Sequence, residues 1–153
     1  NKTIKLSDRL VDTISSIPFK MKWLVISEAW CGDAAQNIPY IAQLAKACPI
    51  VELGVVLRDE NLDLMDKYLT NGSRSIPKVI FLRADDLEEI STWGPRPEII
   101  QQQVMAFKKE APADMTYEKF TAQTHIWYTK NKNCVLESEL MSIFQSVKES
   151  IPQ

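Results

Sequence analysis

The chain predicts an α/β fold: a central mixed β-sheet flanked by helices, with a helical C-terminal extension. Three observations carry this. Apolar, β-branched runs such as Trp23-Leu24-Val25-Ile26 and Lys78-Val79-Ile80-Phe81-Leu82 alternate with segments of helical periodicity. The last two strand-like runs are joined by a link too short for a crossover helix, which makes them an antiparallel pair, whereas the first two are separated by a helix and form a parallel pair. Beyond Ala111-Pro112-Ala113 the apolar residues recur at helical spacing to the end. With 153 residues, 45% of them hydrophobic, the chain is one domain with a real core and has no room for a second. Its core is expected over about 18–109, preceded by a helix over 7–17 and followed by the extension over 114–151.

In order, Ser7 caps a first helix carrying Leu10, Val11, Ile14 and Ile17 on one face, ended before Pro18. Strand Lys22–Ser27 leads into a turn at Cys31 and a helix through Ile38, Ile41 and Leu44 to Cys48-Pro49. Strand Ile50–Leu57 follows, then a short helix around Asn61–Leu69 and a turn at Asn71-Gly72-Ser73. Strands Lys78–Leu82 and Glu88–Trp93 come next, then a helix over Glu98–Lys109. In the extension, Tyr117, Phe120, Thr124 and Trp127 form one helical stripe. Leu136, Leu140, Ile143, Phe144, Val147 and Ile151 form another. These stripes either enlarge the core or present a docking or dimer surface built on Trp127, Tyr128 and Phe144.

The most informative stretch is Trp30-Cys31-Gly32-Asp33-Ala34, at the junction of the first strand and the second helix. A cysteine there meets the unpaired N–H groups and the positive end of the helix dipole, which favour the nucleophilic thiolate. Asp33, and Glu28 before the turn, oppose that by like charge, so a moderately activated thiol is expected. Asp33 also suits the first turn of a helix in its own right. The bland alternative for Cys31 is a buried thiol acting as a small hydrophobe. A dithiol site needs Cys-x-x-Cys, and the partner position is Ala34. Further features form an ordered set with Cys31: Pro39 within the helix, where a proline costs about 3 kcal/mol, Ile76-Pro77 directly before a strand, and Gly94 after the next strand.

That set resembles the thioredoxin superfamily, whose pattern is a Trp-Cys-Gly-x-Cys opening, a proline eight residues after the first cysteine and a cis-proline facing the site. Trp30, Cys31, Gly32, Pro39, Ile76, Pro77 and Gly94 match it. The resolving cysteine does not, and the buried acid of thioredoxins falls near Val25, so it is absent as well. The nearest subset is the thioredoxin-like proteins with Trp-Cys-Gly-Asp at the site. The resemblance implies Cys31 as the reacting residue, shaped by Trp30, Gly32, Asp33, Ala34, Ile76 and Pro77. It also implies a cis Pro77 that leaves the backbone before it open to strand-like pairing with an extended partner.

Other chemistries lack their residues. No segment concentrates Lys or Arg, and the net charge is −2, so nucleic acid is not an expected partner. The longest apolar run is far below the roughly 20 residues of a spanning helix, so no membrane association is expected. No Cys/His cluster has zinc spacing, and no metal is expected. His125, the one histidine, reads as a helix-surface residue, and Asp85, Asp86, Glu88 and Glu89 as a solvated turn. Arg58-Asp59-Glu60 reads as a polar strand end that could fall near the site. Cys48 lies seventeen residues after Cys31 on the same helix, about 25 Å away at 1.5 Å per residue. A disulfide needs Cα atoms within about 7 Å, so Cys48 is a structural thiol. Cys134, in the turn before the last helix, is left as a remote candidate resolver.

The leading expectation is a thioredoxin-like protein performing monothiol thiol–disulfide exchange through Cys31 on protein or small-molecule disulfides. It would need no cofactor beyond an external low-molecular-weight thiol, since Ala34 cannot resolve the mixed disulfide. The principal alternative is a redox-inactive thioredoxin-fold binding or scaffold protein using the groove beside Pro77. A third is an iron–sulfur carrier using Cys31 with an external thiol, which Asp33 makes less comfortable. The odd cysteine count without close pairs, and the absence of a visible signal sequence, point to a reducing, cytoplasmic setting. A monomer or weak dimer is expected.

Overall fold

The computed structural model describes residues 3–153. Helix α1 (Asp8–Ser15) is capped by Ser7, whose hydroxyl accepts from the Leu10 N–H, and it buries Leu10 and Ile14. Strand β1 (Met21–Ser27) leads to α2 (Gly32–Ala47), then β2 (Val51–Leu57). A 3₁₀ turn (Arg58–Glu60) and the one-turn helix α3 (Leu62–Met65) precede β3 (Lys78–Arg83), β4 (Glu89–Trp93) and α4 (Glu98–Lys109). The extension forms α5 (Tyr117–Asn131) and α6 (Cys134–Glu149). The four strands stand in the order β2-β1-β3-β4. The β1/β2 pair is parallel and the β1/β3 and β3/β4 pairs are antiparallel, as the lengths of the links require.

Two elements depart from expectation. The short helix expected around Asn61–Leu69 is present but ends early, as α3. Asn61 supplies no side-chain cap, and the chain after Met65 is drawn instead into an Arg74–Asp66 pair and a Thr70–Ser73 bridge around Gly72. The strand expected from Ile50 begins at Val51 because the Val51 N–H still bonds back to Cys48.

The core lies on one face of the sheet, where α1, α2 and α6 cover Trp23, Val25, Val79 and Phe81. Phe144 of α6 stacks on Trp23 at 5.3 Å and meets the edge of Phe81 at 5.0 Å, with no exposed surface. A docking surface that includes Phe144 is therefore ruled out, because an aromatic in this position gains more from the sheet than from any partner. Tyr128 is buried too, while Trp127 is half-buried and packs edge-on to it. Polar ties hold the extension as well. The Tyr40 hydroxyl donates to Glu137 at 2.7 Å, and the Trp93 indole donates to Glu139 at 2.8 Å. Glu139 also accepts the Glu98 N–H at 2.8 Å, supplying the cap that Pro97 cannot give α4. The extension is part of the folded unit and not an appendage.

A smaller cluster, Ile26, Met65, Ile76 and Ile80, fills the other face, and Cys31 packs against it. Cys48 caps α2 at its far end, buried, where burial pushes its thiol above the usual cysteine range. Cys134 is exposed at the start of α6. No helix among the described residues is long and apolar enough to cross a membrane, and no group of three His, Cys, Asp or Glu among them is arranged to hold a metal.

Candidate functional site

Cys31 has extended backbone geometry, φ −78° and ψ 119°, and stands at the N-cap of α2. Its sulfur takes the place of the usual capping oxygen and accepts from the Ala34 N–H at 3.5 Å. The thiol donates to the Ile76 carbonyl at 3.3 Å, 45 residues on. The Ile76–Pro77 peptide bond is cis. The sulfur is half-buried, so a reagent reaches it while one helix donor and one carbonyl orient it.

Both Ile76 and Pro77 are themselves buried. Of the backbone expected to stand open beside the sulfur, the Ile76 carbonyl is taken up within the chain. Ile76 is covered, and its carbonyl is engaged by Cys31. The Gly94–Pro95 peptide is also cis, and Gly94 holds φ at +118° with Pro77 packed against its α-carbon. Lys78, buried next to Pro77, donates to Thr70 Oγ1 at 3.0 Å and to the Gly94 carbonyl at 3.2 Å. Burial lowers its ammonium below the usual lysine range.

Trp30 is 66% exposed and is not a packing residue. The Arg58 guanidinium lies over its ring, 5.1 Å from the centroid, which brings the 3₁₀ turn to the site. Glu28 is spent on the Asp59 N–H, which it accepts at 2.9 Å.

Asp33 is set apart from the thiol by partners that the pattern around Cys31 does not name. Arg96 donates to Asp33 Oδ2 through Nε and Nη2, at 3.0 and 2.8 Å, and through Nη1 to Gln101 at 2.7 Å. Tyr128 of α5 donates to Asp33 Oδ1 at 3.1 Å, and Asn37 donates to the Tyr128 oxygen at 3.2 Å and to the Asp33 carbonyl at 2.8 Å. Burial first, then the Asp33 carboxylate, keeps the Tyr128 hydroxyl protonated far above the ordinary phenol range. The charge expected to oppose a thiolate is thus matched by a guanidinium with little exposure of its own. A cleft of about 480 Å³ borders this network, between Gly32, Phe107, Phe120 and His125. Arg96 carries one legible signal: Pro95 and Pro97 flank it and hold it rigidly two residues past Gly94. Tyr128 and Asn37 carry none, because their role depends on how α5 lies on α2.

Ala34 is buried one helical turn from Cys31. Side chains three apart in a helix sit about 5–6 Å from one another, inside the reach of a disulfide. Ala34→Cys is expected to form an intramolecular disulfide with Cys31 on mild oxidation, seen as the loss of two hydrogens from a peptide that holds both residues. Persistent free thiols in the oxidised variant would contradict this placement.

A parallel pair, two antiparallel pairs and a cysteine at a helix cap facing a cis-proline define a thioredoxin-like protein. The chain belongs to the thioredoxin family: the family profile described as thioredoxin matches residues 1–115. Among curated proteins none matches its sequence significantly. Among solved structures it is similar to a protein of unknown function, PA1234, from Pseudomonas aeruginosa. The TM-score is 0.62 and the identity 18%, over 93% of this chain and 75% of that one. An HIV epitope-scaffold is similar at TM-score 0.61 and 19% identity, over 92% and 75%. A Fasciola hepatica thioredoxin aligns over 65% of this chain and 88% of its own at 21% identity, with a TM-score of 0.43. At these identities the likeness is one of fold.

Proposed function

We propose that the protein performs thiol–disulfide exchange with Cys31 as its one reacting sulfur. The observation that carries this reading is the position of that sulfur: half-exposed, at the N-cap of α2, with the Ala34 N–H directed at it. The Cys31 thiolate attacks one sulfur of a protein or small-molecule disulfide, forming a mixed disulfide and releasing the other half as a thiolate. A second, low-molecular-weight thiolate then attacks the mixed disulfide, regenerates Cys31 and leaves as a new disulfide. Ala34 carries no sulfur, so this step needs the external thiol, which a reducing compartment such as the cytoplasm supplies. The Asp33–Arg96 pair supports the reading because it keeps a carboxylate near the sulfur from acting as an unmatched negative charge.

Cys31→Ser tests it. The wild-type protein is expected to accelerate reduction of a glutathione mixed disulfide by added glutathione, and Cys31→Ser to return the rate to that of glutathione alone. A wild-type rate no faster than background would overturn the exchange reading. The reading as a binding module has less to support it, because the Ile76 carbonyl beside the sulfur is already bonded by Cys31.

A further inference from the structure

The sheet has two edge strands, β2 and β4, and the groups on the β2 edge select a partner. Strand β2 ends the order β2-β1-β3-β4 and pairs with β1 alone. Met21 donates to the Ile50 carbonyl and stands opposite Val51, so residues 50, 52, 54 and 56 bond towards β1. The backbone groups of Val51, Leu53, Val55 and Leu57 then point outward. Two of these are used locally: the Val51 N–H donates to Cys48, and the Leu57 carbonyl accepts from Asn61 Nδ2. Among the described residues the Val51 carbonyl, both groups of Leu53 and Val55, and the Leu57 N–H remain without a partner. Proteins usually blunt such an edge with lysine, proline or a bulge. Val51–Leu57 has none of these and one charge, Glu52. Val55 is 56% exposed and Leu57 41%.

We propose that this edge pairs with the same edge of a second copy, antiparallel, about a two-fold axis at Gly54. The free groups choose the register. With Gly54 opposite its own equivalent, Leu53 and Val55 of the second copy exchange both bonds, and the Leu57 N–H of each copy meets the Val51 carbonyl of the other. The two symmetry-related bonds this register omits join the Val51 N–H of each copy to the Leu57 carbonyl of the other, groups that already make a bond within the chain. A slip of two residues in one direction sets the Val55 carbonyl against the occupied Val51 N–H, and in the other it sets the Leu53 N–H against a Leu57 carbonyl that already accepts from Asn61.

Side chains and charge agree with this register. Val51, Leu53, Val55 and Leu57 share one face, so the exposed Val55 and Leu57 come to lie opposite Leu53 and Val51 of the second copy. Glu52 faces Val56, and the two glutamates stand four residues apart along the ladder. That is about 13 Å, beyond the screening length of about 8 Å at physiological salt. The contact is one strand wide, so the dimer is reversible. It does not depend on the chemistry of Cys31.

Sedimentation equilibrium of the full chain from micromolar to millimolar, with reductant to keep Cys134 from cross-linking, tests the proposal together with amide hydrogen exchange. The expected result is a monomer–dimer equilibrium in which the Leu53, Val55 and Leu57 amides become protected as dimer forms. Val55→Lys, at an exposed site the fold tolerates, is expected to weaken association roughly tenfold or more, since it strikes two symmetric pairs at once. Val55→Thr keeps the shape and is expected to retain the dimer. A monomer across the whole range, or a dimer that survives Val55→Lys with the β2 amides unprotected, would overturn the proposal.

Discussion

Phe144→Ala is expected to destabilise the protein by about 3–5 kcal/mol, the range for truncating a fully buried aromatic. The ring lies against Trp23 and Phe81, near the middle of the sheet, with no exposed surface. Its removal leaves a void that these two large neighbours, fixed in β1 and β3, cannot close. The check is urea unfolding followed by tryptophan fluorescence. The midpoint is expected to fall sharply and α6 to be lost in the same transition as the sheet. A loss below about 1 kcal/mol, in the range of surface substitutions, would mean that the extension is a separate, loosely docked element.

Gly94→Ala is expected to be nearly as costly and to reach the site as well. A Cβ on Gly94 would stand 2.3 Å from the Pro77 carbonyl oxygen, and the residue holds φ at +118°, where an L side chain is strained. Backbone cannot yield as a flexible side chain can. The loop carrying Ile76 and Pro77 must shift, at about 3 kcal/mol or more, or about 10 °C in melting temperature for a domain of this size. Because the Ile76 carbonyl holds the Cys31 thiol, alkylation of Cys31 at neutral pH is expected to change along with stability. An unaltered melting temperature would show that the contact between Gly94 and Pro77 is looser than described.

Most of the fold is legible in the sequence because its signals are local. The helix over Glu98–Lys109 matches to the residue, and Ser7 caps α1 as its position foretells. The strands agree to within one residue at each end. The helix around 61–69 is shorter than its spacing suggests, for a physical reason. Its apolar spacing suits a helix, but the Arg74–Asp66 pair and the Gly72 turn, formed with residues further on, hold that stretch in another shape. Phe144 shows a different limit: helical spacing marks an apolar stripe without saying whether solvent or sheet lies opposite.

The site divides along the same line. Cys31, Gly32 and Ala34 are placed by a strand, a turn and a helix cap, all within a few residues of one another. The absence of a second sulfur at position 34 is likewise a fact of the chain. Arg96, Tyr128 and the Ile76 carbonyl reach Asp33 and Cys31 from elements packed together only in the folded state. The sequence by itself determined the alternation of strands and helices and the sulfur at the start of α2, because periodicity and capping act over a few bonds. Only the tertiary structure decided that Asp33 is matched by Arg96, that Ile76 is covered and that β2 stands open. Burial, charge pairing and strand order depend on which distant surfaces meet.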